Sequence, residues 1–90
     1  MEELIRNMNH CAKALYQNRE QEAYQMINEI LPEMNRVLQE AMKLSKEMEQ
    51  VIVSVLAEFV EHYQRKDNLG LADLFGYTIP GIVGTITESQ

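Results

Sequence analysis

Ala23, Ile27, Ile30, Met34, Val37, Ala41, Leu44 and Met48 follow one another in alternating steps of four and three. That rhythm draws a single stripe along an α-helix and none along a strand, whose side chains alternate faces. Leu31, Leu38 and Met42 widen the stripe to the face of a bundle helix. A helix with such a face has to bury it, so the remaining segments must supply the cover. Pro32 lies inside the pattern, where it removes one backbone donor and crowds the carbonyl four residues earlier. The apolar register passes through it unbroken, which predicts a kinked helix rather than two.

The flanking segments have the same character. Leu4, Met8, Cys11 and Leu15, with Ile5, Ala12 and Tyr16 beside them, predict a helix over 2–17. A polar break at 17–20 follows. The seam predicts a second helix over 20–44. Ser45 is placed to cap a third, with Glu47 and Glu49 in its first turn. Val51, Ile52, Val55, Leu56, Phe59, Val60 and Tyr63 predict its apolar stripe, over 47–65. One helix from 20 to 65 would be roughly 69 Å long, too long for a compact chain of this size. The turn is therefore expected near 44–47.

The end of the chain differs. No glycine occurs before residue 70, and all four fall in "GLADLFGYTIPGIVGTITESQ". Asp67 or Asn68 is suited to cap a short helix over 69–77 that docks Leu71, Leu74 and Phe75. Gly76 weakens that helix, and Pro80 with Gly81 breaks or kinks it. The β-branched remainder disfavours helix by propensity, but Ile79, Ile82 and Ile86 keep helical spacing, so it is read as a further helical piece. The expectation is all-α: one domain over 1–90, a small antiparallel bundle of three main helices plus a shorter, broken C-terminal one.

Composition narrows the function. Fourteen acidic residues against eight basic ones give a net charge of −6. Such a chain is repelled by phosphate backbones and anionic lipid, so neither nucleic acid nor membrane is an expected partner. The single Cys11 allows no internal disulfide, and no signal-peptide pattern or apolar run of about 20 residues is evident. A cytoplasmic location is expected.

No catalytic signature stands out. Neither His10 nor His62 has a glutamate three residues before it, as a carboxylate-bridged metal bundle requires. Glu58, Glu61 and His62 are the residues a small metal-binding helical enzyme would have to use. Cys11 lies on the seam as a small core residue. Gly81-Ile82-Val83-Gly84 lacks the spacing of a phosphate loop. No metal, cofactor or catalytic residue is assigned. The methionines suit core filling, or a groove for a partner helix. Asp73 and Tyr77, four apart, are placed to hydrogen-bond each other or a neighbouring chain; with Leu74 and Phe75 they are the expected interaction residues.

"KDNLGLADLFGYTIPGIV", residues 66–83, resembles a motif of small uncharacterised helical proteins of Gram-positive anaerobes, through Lys66, Asp67, Leu71, Ala72, Asp73, Tyr77 and Pro80. Gly76 and Thr78 stand where that motif has acids. The resemblance covers about a fifth of the chain and implies no activity. The helical layout is also broadly similar to small bundle-type flagellar-export chaperones, which bind an amphipathic peptide.

The reading is a non-enzymatic protein–protein interaction module with an unknown protein partner. A helix over 2–17, roughly 24 Å long, cannot cover the roughly 37 Å of 20–44. A homodimer is therefore expected, with residues 71–86 at its interface unless that segment closes its own bundle.

Overall fold

The computed structural model describes the backbone of residues 2–89 and the side chains of residues 2–86. Helix α1 spans Glu2–Tyr16, α2 Glu20–Met42, α3 Lys46–Arg65 and α4 Asn68–Asp73; a π-helical turn at Leu74–Thr78 joins α4 to α5, Ile79–Ser89. No strand occurs among the described residues. The protein is all-α, and its last helix is a joined, broken one.

Two ends come from chain chemistry invisible to a search for Gly and Pro. After α1, Asn18 takes the left-handed conformation, φ 58°. Asn18 N–H donates to the Leu15 carbonyl and Arg19 N–H to that of Ala14, satisfying two of the carbonyls a helix end leaves open. Lys66 does the same after α3 at φ 54°, with Tyr63 and His62 as acceptors. Ser45 accepts from Met48 N–H at 3.0 Å and caps α3 as expected. Asp67 accepts from Gly70 N–H at 3.0 Å and caps α4.

Pro32 and Pro80 are accommodated differently. α2 continues as one α-helix through Pro32, which faces solvent. Before Pro80 the helix widens instead. Ile79 N–H donates to the Leu74 carbonyl, five residues back. The ring of Pro80 would crowd the carbonyl of Gly76, four residues back, and the wider turn relieves that contact. The chain thus stays helical through Pro80, as the spacing of Ile79, Ile82 and Ile86 indicated, with the interruption taken up by the π-turn.

The seam is buried almost throughout. Ala23, Ile27, Ile30, Met34, Val37, Leu38 and Ala41 are all core residues. Leu44 corrects the sequence reading, being 55% exposed, and Met48, carried on α3, is only partly buried. α2 ends at Met42, and Lys43 and Leu44 N–H bond to carbonyls only three residues back. That tightened turn, followed by extended Ser45, swings Leu44 off the stripe.

The C-terminal segment covers the seam within the same chain. α1 packs on α2, α4 and the π-turn, α2 on α3, and α5 on α1, α2 and the π-turn. Leu71, Ala72, Leu74, Phe75, Ile79, Val83 and Ile86 join the single core. Ile30, Met34, Val37 and Leu38 are therefore covered without a second copy. The radius of gyration, 12.5 Å, lies near the ~12 Å expected of a compact chain of this length.

Candidate functional site

Of the four residues expected to face a partner, two are core. Phe75 is fully buried, edge-on to Phe59 at 5.7 Å between centroids, and Leu74 lies in the same cluster. Asp73 and Tyr77 are exposed. They are not hydrogen-bonded to each other. Asp73 instead accepts a hydrogen bond of 2.6 Å from the Tyr16 hydroxyl on α1, 57 residues away. That hydrogen bond, reinforced by burial and by the Asp73 charge, pushes the Tyr16 phenol up to about 12. Tyr77, 72% exposed, stands beside this pair. Tyr16 and Tyr77 line an open hollow of about 360 Å³ with Asn9, Ala12, Lys13, Gln17 and Gly76.

A polar clasp holds the start of α4. Tyr24 donates to Asn68 Oδ1 at 3.0 Å, and Asn68 Nδ2 donates to Glu20 at 2.8 Å. His62 Nδ1 lies 3.1 Å from Asp67 Oδ2. The imidazole lies so close to Gly70 that a Cβ there would sit 2.6 Å from Nδ1. His62 and Asp67 thus join α3 to α4, a structural task rather than ligation.

The other candidates for chemistry disperse. Cys11 is fully buried, its thiol 3.6 Å from the Ala23 carbonyl, and burial pushes its pKa up to about 12. A thiol so held is no nucleophile near neutral pH. Glu58 and Glu61 are exposed, and Glu61 pairs with Arg65 at 3.2 Å. Among the described residues no three of His, Cys, Asp and Glu gather as a metal site would need. Met8 and Met34 are core, Met42 and Met48 are partly buried against it, and Met26, also partly buried, borders a small hollow with His10. The run Asn68–Ile86 is long and apolar enough for a membrane span by length and composition, which the sequence reading did not count; seven of its apolar residues pack into the core.

One surface went unrecognised. Of the seven apolar residues expected to form the α3 stripe, only Ile52, Val55 and Phe59 are buried. Val53 and Val60 are each 52% exposed, Tyr63 is 38% exposed, and Leu56 is half-buried. At 100° per residue, Val53, Leu56, Val60 and Tyr63 form a second ridge beside the buried one. Gln50, Ala57 and Gln64 flank it, so a band roughly 120° wide carries no charge between Glu49 and Lys66. Tyr63 is held by Phe59, stacked at 5.7 Å, and by Tyr24, edge-on at 5.5 Å. The signal was present in the sequence. Val51 to Tyr63 spans roughly 180° of the helix, whereas one buried face needs roughly 100°.

A family model described as a domain of unknown function (DUF8042) matches residues 1–86. No curated protein and no solved structure matches the chain.

Proposed function

The chain belongs to the DUF8042 family of domains of unknown function, and we propose that it works as a non-enzymatic interaction module whose docking surface is the outer face of α3. The observation that carries this reading is the uncharged apolar ridge of Val53, Leu56, Val60 and Tyr63, of which Val53, Val60 and Tyr63 stay exposed while Leu56 is half-buried against the core. Apolar side chains scattered singly on a surface need no partner; a contiguous ridge on one helix favours one. The ridge lies on a continuous 20-residue helix capped at both ends, so it is presented rigidly. With a net charge of −6 the fitting partner is a protein rather than a phosphate backbone. The lone, buried Cys11 suits a reducing cytoplasm.

The test is a photo-reactive phenylalanine derivative placed at position 60 and, separately, at position 58 on the far side of α3. In the native cell, position 60 should give a discrete protein adduct and position 58 none. Equal labelling at both positions, or none at 60, removes the reading.

A further inference from the structure

We infer that the occupant of the α3 face is a second copy of this chain, docked with its own α3 antiparallel. The inference rests on the docking face proposed above and names its partner.

Charge is the first argument. The chain carries fourteen acids and eight bases, so two copies repel over most of their surfaces. The band from Gln50 to Gln64 is where the approach meets no charge. A basic partner would call for acids within this band and an acidic partner for cations; it has neither. A neutral, apolar band on a strongly acidic molecule matches a copy of itself.

Spacing is the second. Val53, Leu56, Val60 and Tyr63 are separated by three, four and three, which is one coiled-coil seam over two heptads. The pattern is symmetric about its centre, so it meets itself when reversed. Val53 packs against the partner's Tyr63 and Leu56 against the partner's Val60, and the same two layers repeat across the two-fold axis. Ala57, the small residue beside the axis, lets the helices approach. Direction follows from the ends. Reversed, the same register sets Gln50 opposite the partner's Lys66, whose side chain borders the same hollow as Tyr63, and Glu49 opposite the partner's Asp67 with the partner's Lys66 beside it. A parallel pair would set Glu49 against its own twin.

Four layers make a small interface beside the ~800 Å² per partner typical of stable complexes. The dimer therefore forms and dissociates with concentration.

Sedimentation velocity on the full chain between ~10 µM and ~1 mM should show conversion from monomer to dimer, spanning the affinities a small interface reaches. Val60→Asp buries a charge in the seam and should raise the dissociation constant at least about 100-fold. Its helical circular dichroism should be unchanged, because Val60 is outside the core. Glu58→Gln should sediment as the parent does. Oxidising a mixture of Gln50→Cys and Gln64→Cys chains should give the mixed disulfide, with Cys11 buried and uninvolved. A wild-type monomer at ~1 mM overturns the inference. So does a dimer indifferent to Val60→Asp, or preferential disulfides between identical variants. A position-60 adduct with a different protein, instead of one at twice the chain's mass, sinks self-association and leaves the docking face standing; no adduct there sinks both.

Discussion

Asn18 and Lys66 show what single residues settle here: both adopt a left-handed backbone that costs an L-residue roughly 1–2 kcal/mol, and both end a helix by doing so. Asparagine reaches that region more easily than lysine. Lys66→Gly should therefore stabilise the fold by about 1 kcal/mol, read as a raised urea midpoint with unchanged slope. A lower midpoint would mean that the Lys66 side chain contributes more than its backbone costs. Tyr16 offers a second residue-scale test. Its phenol is pushed up to about 12 in the fold, above the ordinary tyrosine value of about 10. A raised folded pKa contributes stability that is fully present below pH ~10 and is lost as pH rises from there through ~12. Asp73→Asn should bring the Tyr16 transition down toward 10 in an ultraviolet tyrosine titration and shrink that alkaline loss. An unmoved titration would place the cause elsewhere than in the 2.6 Å hydrogen bond.

Among elements, the C-terminal arm is the least ordinary, because it stays helical through a proline and four glycines. Its glycines do different things, and alanine substitution separates them. Gly81 has nothing within 4 Å of where a Cβ would stand, so Gly81→Ala should raise stability by about 0.5–1 kcal/mol through helix propensity alone. At Gly76 a Cβ would lie 3.3 Å from that of Ala12, where α1 crosses the π-turn, so the same change there should forfeit the gain. Gly70→Ala would drive a Cβ into the His62 ring and should be the least stable of the three, for the ring cannot move without releasing Asp67. Urea midpoints in any other order would mean that the packing of α1, α3 and the arm is looser than described.

At the scale of the whole molecule, one core joins every element, so damage at its centre should be global. Val37 is 3% exposed, and Val37→Asp should cost several kcal/mol by burying an unpaired charge, while exposed Glu40→Gln should be nearly silent. Similar losses from both would contradict the seam. Removing the arm is the harsher experiment. A chain ending at Lys66 lacks Leu71, Leu74, Phe75, Ile79, Val83 and Ile86, which cover α1 and α2. It should lose cooperative urea unfolding altogether, since what remains cannot bury its own stripe. A sharp transition from that shortened chain would show that α1 to α3 form a domain without it.

Much of the architecture was legible from residues alone. The seam of α2, the capping by Ser45, the passage of α2 through Pro32 and the helical spacing of Ile79, Ile82 and Ile86 all follow from interactions within one or two turns. The sequence by itself therefore determined that the protein is a bundle of helices and roughly where each lies. Four features needed the tertiary structure. Leu44 left its stripe because a three-residue tightening ended α2 early. The turn before Pro80 widened rather than broke, with α1 packed against it. Asp73 accepts from Tyr16 on α1, 57 residues away, rather than pairing with Tyr77. And of the apolar surface on α3, α2 and α4 cover one part and leave Val53, Val60 and Tyr63 exposed, with Leu56 half-buried between. Periodicity tells which residues share a face, because that is local geometry; which face receives a neighbour depends on segments tens of residues away, and only their packing decides it.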